Sequence, residues 1–394
     1  MTAENTAQKP LRFFASGYTD SSDDAGIRVF EISPDGLTVT EVGGAAGVES
    51  PSFSILNGER VYAASEAPDH GGLAHYKMDD AGVPQLIDQV TFPDAAGTCY
   101  VLEHPQGIHL YGADYNSGSV CSCALDTTGA IQEPVTLVQH HGHGASRHAG
   151  DPNFDRQTSP HVHTLSFVPG TSLLAAVDLG LDVITVYRTD EAGNIVGSDE
   201  PTVVNAWPDG TRGDSEVELP LRPAAIVEAP LYSGPRIIAY HPTKPIAALV
   251  CELACEVILF HISEDGLHWE PFAQWDLMQD VPASEVEMQT EAPRGAHCEF
   301  TRDARFLYAC TRGVDRMTTF AIDEDCNLLS RHDCPSYGGT PRHFALSPDD
   351  TLLAVANQTG DDIVMFTRDA TTGKLEFATR IPFTHPSCIV WSQH

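Results

Sequence analysis

Short runs of apolar residues, many alternating with polar ones, recur along this chain in a fixed order. An apolar strand leads into a tight turn, often His-Pro or Ser-Pro. A second strand follows, then a polar turn, then a third strand ending in an aromatic or apolar residue and an acidic, Gly-containing turn. The clearest copies span 234–266 and 340–373; weaker ones span 51–66, 97–129, 160–193 and 295–326, and a seventh is split between the chain ends. No helical period separates them. The pattern predicts an all-β fold, a seven-bladed β-propeller of four-stranded antiparallel blades. Residues 11–44 supply a second, third and fourth strand but no first, whereas 385–392 reads as a first strand with nothing after it. The ring is therefore expected to close by the C-terminal strand completing the N-terminal blade, which pairs two edges that would otherwise be exposed.

Length and composition fit this architecture. The 394 residues give about 56 per blade, and the 32 Gly and 27 Pro are spread through turns rather than gathered into a linker. Residues 1–10, MTAENTAQKP, are polar and read as a disordered tail, leaving 11–394 as a single propeller domain. No run approaches the roughly 18 apolar residues of a membrane span, and the start lacks the apolar segment of a signal peptide. The ten cysteines form no C-x-x-C pairs, which favours a reduced, cytoplasmic protein. A formal net charge of −33 excludes nucleic acid and anionic membrane surfaces as partners and supports solubility as a monomer or homodimer. With only 22 Lys and Arg, the positions of the arginines carry weight.

Aligning the copies on the turn proline places Cys99, His163, Arg236 and Arg342 six residues before it. The copy without that proline puts Ala296 and His297 in register with Arg342 and His343. Counting back eight from the end of the third strand gives Tyr115, Glu252, Arg312 and Gln358. Both positions lie where a propeller's first strands and second turns converge on the axis. His161 shares the face of His163 by the period of two. Three arginines, a glutamate and several histidines in register predict a site for an anionic small molecule, since guanidinium binds carboxylate or phosphate bidentately.

Other candidates are weaker. The run 139–163 holds His140, His141, His143, His148, His161 and His163, but without regularly spaced Cys or carboxylate partners; no metal is assigned, and the run is expected to form a loop over the mouth. The stretch 203–233, with Arg212 and Arg222, reads as a loop on the rim. The acidic stretch 278–295 reads as a surface crossing whose Arg294 is in reach of the mouth. No phosphate-binding Gly-rich loop or serine nucleophile elbow is present.

In the stretches 155–167, 233–242, 250–257, 309–317 and 338–358 the chain resembles the lactonase family of seven-bladed propellers. That family includes the cycloisomerase-like type of 6-phosphogluconolactonase and the carboxy-cis,cis-muconate lactonising enzyme. The resemblance implies active-site roles for His161, His163, Arg236, Glu252 and Arg312, with Arg342 and His343 in a motif common in the family. Gly97-Thr98-Cys99-Tyr100 and Ile237 depart from the family pattern by removing histidines from the mouth. The expected function is hydrolysis of an anionic sugar-acid lactone without a cofactor. Glu252 would serve as acid/base with His163 or His161, Arg312 would bind the oxyanion, and Arg236, Arg342, His343 and His297 would bind substrate. In the other assignment a histidine is the base and Glu252 orients it. A lactonising cycloisomerase and a non-catalytic propeller serving as interaction platform or ligand sensor are the alternatives.

Overall fold

A computed structural model describes residues 11–33, 37–287 and 291–392; the tail expected over 1–10 lies outside the described residues. Seven antiparallel sheets form the blades, each of four strands except the fourth, which has six. The inner strands, in order, are Pro386–Trp391, Pro51–Asn57, Thr98–Glu103, Val162–Phe167, Pro235–Tyr240, Arg294–Phe300 and Pro341–Leu346. Closure is as expected. Pro386–Trp391 pairs antiparallel with Leu11–Gly17, setting Phe13 opposite Trp391 and Phe14 opposite Val390. The Phe13 ring packs on both Phe30 and Trp391 at this seam.

The apolar runs mark the two middle strands of each blade, because both their faces are covered by neighbouring blades. In blade five, Ile246–Cys251 is buried throughout, whereas the outer strand Trp269–Asp276 alternates between covered and exposed positions. Small residues such as Ala175, Ala247 and Ala354 let adjacent sheets approach closely in the apolar clusters between blades. Three buried tyrosines tie blades together. Tyr62, Tyr111 and Tyr308 donate to the carbonyls of Gly129, Gly193 and Gly373, each in the acidic turn of the following blade. Those turns are acidic because an aspartate accepts backbone amides within them, as Asp126 does from Thr128 and Ala130 and Asp190 from Ala192 and Asn194. The His-Pro histidines are turn residues too: His241 Nδ1 accepts from the amides of Thr243 and Lys244.

Two insertions depart from expectation. The stretch 203–233 is not merely a loop on the rim. It supplies Ala225–Glu228, the fourth strand of blade four, with Val203–Asn205 added in parallel. Its Glu216–Glu218 pairs with His141–His143. The first histidine of the run is likewise core: His140 is buried between Asp178 (2.8 Å) and the Tyr187 hydroxyl (2.9 Å). A short helix, Ala283–Glu287, lies in the crossing between blades five and six, and Arg316 pairs with its Glu285.

Candidate active site

Near its start, each inner strand shifts register against its neighbour by one residue. The positions skipped are Ser387, Ser52, Cys99, His163, Arg236, Ala296 and Arg342, one per blade. A bulge turns the extra residue out of the ladder and re-aims its side chain, here toward the axis. Six of the seven, all but Ala296, line an axial cavity of about 20 Å³. That volume holds about one water, so the channel is plugged and a sugar-sized ligand must bind at its mouth.

The residue at the C-terminal end of each second strand, following it in six blades and closing it at Arg312, forms a second circle. It contains Tyr18, Glu66, Tyr115, Leu179, Glu252, Arg312 and Gln358. Most of these donate a backbone hydrogen bond to the chain before the inner strand, such as Glu252 N to Gly234 O and Tyr115 N to Gly97 O.

Glu252 is the electrostatic centre. Its buried carboxylate meets Arg236 Nε at 3.0 Å and Arg312 Nη2 at 2.7 Å on Oε2. On Oε1 it meets Arg156 Nη2 at 2.6 Å and Arg294 Nη1 at 3.7 Å. Burial alone would raise this carboxyl, but Arg312, Arg156 and Arg236 hold it well below the ordinary carboxylate range. Across the mouth, Arg342 lies 3.6 Å from Glu66, which accepts from the Tyr18 hydroxyl at 2.8 Å. Five guanidinium groups thus face two carboxylates, an excess of three positive charges in a chain of net −33. Several donors stay unsatisfied. Arg236 Nε, Arg294 Nε, and Arg312 Nε and Nη2 are buried without an aligned hydrogen-bond acceptor, although Arg236 Nε and Arg312 Nη2 lie within ion-pair distance of Glu252. Arg236 Nη1 donates to the Ala296 carbonyl. Buried donors left over beside surplus positive charge suit an anionic ligand.

The histidines divide into two groups. His161 Nδ1 lies 2.8 Å from the Tyr115 carbonyl, which only accepts, so Nδ1 carries the proton and Nε2 keeps its lone pair. Its amide donates to Asp178 and its ring stacks on Tyr115 at 4.4 Å. The surrounding backbone passes close to Gly180, where an added Cβ would lie 1.9 Å from the Ser159 carbonyl oxygen. Burial lowers the His161 pKa, opposed by the Tyr115 carbonyl. His163 sits beside it, edge-on to Tyr115, and burial and Arg236 push it well below the ordinary value. His297 and His343 follow the bulge residues and pack on each other at 4.1 Å. His343 Nδ1 accepts the Ile389 amide, and burial lowers it to about 3. Burial thus favours the neutral form of both rings, and His343 also lines the axial cavity. Burial raises the Cys99 and Cys251 thiols, which disfavours a thiolate nucleophile.

The alignments thus brought Glu252, Arg236, Arg312, His161 and His163 together. Arg342 belongs to the opposite wall with Glu66 and Tyr18, which the alignment missed. Arg156, also missed, arrives on the histidine-rich insertion, and its Nη2 also contacts the Tyr115 hydroxyl at 2.7 Å. Among the described residues, no three His, Cys, Asp or Glu gather in an arrangement that could hold a metal ion. A larger groove of about 410 Å³ lies on the insertion beside Arg147, Phe154 and Gln157, but it holds none of the converging inner-strand groups.

A seven-bladed propeller with an ionisable cluster at its axial mouth defines the class of this protein. The family model described as "Lactonase, 7-bladed beta-propeller" matches residues 12–391, and the chain belongs to that family of lactone-hydrolysing enzymes. It is similar to a 6-phosphogluconolactonase of Bacillus subtilis, 27% identical over 384 residues, covering 95% of this chain and 97% of the relative. A 6-phosphogluconolactonase of Formosa agariphila is 26% identical over 92% of this chain and 94% of its own length. Among solved structures, the periplasmic gluconolactonase of Pseudomonas aeruginosa superimposes with a TM-score of 0.79 at 25% identity, covering 97% of this chain and 99% of that one. No helix among the described residues is long and apolar enough to cross a membrane.

Proposed function

We propose that the protein hydrolyses an anionic sugar-acid lactone, of the 6-phosphogluconolactone type, at the channel mouth. The observation that carries this reading is the surplus of guanidinium groups around Glu252, with buried donors still unsatisfied. The names of the Bacillus subtilis and Formosa agariphila relatives support the same substrate class.

In this mechanism the neutral Nε2 of His161 takes a proton from water, and the resulting hydroxide adds to the lactone carbonyl carbon. Arg236 and Arg312 stabilise the oxyanion that develops, where fixed positive charge in a water-poor site acts most strongly. The tetrahedral intermediate collapses by breaking the ring C–O bond, and protonated His161 returns the proton to the leaving alkoxide. Lactone and water become one hydroxy acid. Glu252 is better suited to orienting the arginines than to proton transfer. A carboxylate held charged by Arg312, Arg156 and Arg236 is a weak base, and it is not a proton donor near neutral pH.

The test is a panel assay of purified protein on 6-phosphogluconolactone, glucono-δ-lactone and a muconolactone, following acid release. Preference for the phosphorylated lactone is expected. Turnover of none of the three would refute the reading, and formation of the lactone from a muconate would assign the lactonising reaction instead.

A further inference from the structure

Four guanidinium groups surround Glu252, and they are not equivalent. Arg236 is the bulge residue of its inner strand, and Arg294 and Arg312 face each other in a strand ladder, so all three are carried by the sheets. Their side chains are 4%, 19% and 11% exposed. Arg156 alone comes from a segment of turns outside the sheets, and its side chain is 26% exposed. The backbone on either side of it is held. The Arg156 amide donates to the Asn153 carbonyl, the Gly144 amide donates to the Gln157 carbonyl, and the Gln157 side chain bonds the Leu179 carbonyl and Arg147. The freedom at this point therefore belongs to the Arg156 side chain rather than to the loop.

We propose that Arg156 is the specificity-determining residue of the mouth: a displaceable counter-ion that leaves Glu252 and Tyr115 to bind the acidic group of the substrate. The inference rests on the lactonase reading of this site. Its partners make the exchange feasible. When Arg156 leaves, Glu252 Oε2 keeps Arg236 and Arg312, and Oε1 keeps Arg294, so the buried carboxylate is not stranded. The Tyr115 hydroxyl is released at the same time and can bond to the ligand. The exchange replaces one charge-assisted bond to Oε1 by a bidentate pair to phosphate or carboxylate. A neutral lactone has no group to trade for Glu252 and leaves Arg156 in place.

The experiment compares wild type with Arg156→Gln on 6-phosphogluconolactone and glucono-δ-lactone, and measures inorganic phosphate binding by calorimetry. The kcat/KM for the phosphorylated lactone should fall by about 10–100-fold, and by at least tenfold more than for the neutral one. Phosphate affinity should fall in parallel. Equal losses on both lactones, in a variant with wild-type circular dichroism and melting temperature, would reduce Arg156 to a structural counter-ion and overturn the proposal. If wild type turns over neither lactone, the lactonase reading fails, and phosphate binding still decides: affinity unchanged in the variant overturns the role of Arg156, and loss of affinity supports it. Should Arg156→Gln fail to fold, Arg156→Lys keeps the charge but not the fork. A weakened preference for the phosphorylated ligand is expected there, and a wild-type preference would be contrary evidence.

Discussion

Glu252→Gln removes one charge while nearly preserving shape, and its consequences can be worked from the site. The carboxylate is the ion-pair partner of Arg236, Arg312, Arg156 and Arg294. Arg236 is 4% exposed, so water screens its charge poorly. Deleting one partner of a buried pair typically costs about 3–5 kcal/mol, because the other charge is left uncompensated. For 394 residues, an unfolding entropy of about 2.1 cal/mol/K per residue corresponds to roughly 0.8 kcal/mol per kelvin. The melting temperature should therefore fall by about 4–6 °C. The vacated cluster should also bind anions more tightly than before. Phosphate at a hundred times its dissociation constant contributes about 2.7 kcal/mol, restoring about 3 °C of that loss. Differential scanning fluorimetry of both proteins across a phosphate series reads both effects. The acidic limb of the pH–rate profile should move only toward lower pH, since the base in this mechanism is His161 and Glu252 is among the charges that raise its pKa. A melting temperature within a degree of wild type, with phosphate acting equally on both, would refute the claim that Glu252 is the counter-charge of this cluster.

Further outcomes are expected from the same structure. Activity should be full at neutral pH and fall as the pH drops below the ordinary histidine value of 6.5, because His161 must be neutral and burial lowers its pKa; a limb above 6.5 would exclude it as the base. Stability should fall over the same direction of pH. His343 stays neutral down to about 3 in the folded ring but takes a proton from 6.5 downward once unfolded, so its contribution is present above 6.5 and lost between those values; urea titrations at pH 7 and 5 check the sign. Deleting residues 386–394 should abolish the cooperative melt, since it removes the inner strand of blade one with Ile389 and Trp391 and opens an edge on Leu11–Gly17; a soluble, sharply melting product would contradict closure. Gly180→Ala should lower kcat several-fold without altering a charged group, because the new methyl meets backbone at Ser159 and His161; wild-type kinetics would show that the placement of His161 tolerates the shift.

Much of this was legible in the chain because a propeller repeats one local instruction. The middle strands are buried on both faces, so they read as apolar runs, and the aspartates that accept turn amides recur with them. Repetition also exposed the axial residues. Cys99, His163, Arg236 and Arg342 hold one offset from the turn proline because the bulge occurs at the same step of every inner strand. The second count found Tyr115, Glu252 and Arg312 because five residues separate the paired ends of strands two and three there, as in Asp114↔Ser119 and Cys251↔Glu256. It missed Glu66 because that turn is two residues longer, Ser65 pairing with Gly72. It missed Tyr18 for the same reason, since Gly17 reaches back only to Gly26.

What tertiary structure alone decided are the contacts made by segments outside the repeat. Arg156 lies 96 residues from Glu252 on an insertion with no counterpart in the other blades, so no register links the two. The fourth strand of blade four, Ala225–Glu228, follows a long excursion that hides its place in the period. Charge, too, was settled in three dimensions. The chain carries a glutamate and a histidine, but the converging guanidinium groups of Arg312, Arg156 and Arg236 hold Glu252 ionised and a single carbonyl fixes the His161 tautomer. Local sequence sets where strands and bulges fall, because those are near-neighbour effects. The electrostatic state of a buried group depends on everything that burial brings beside it.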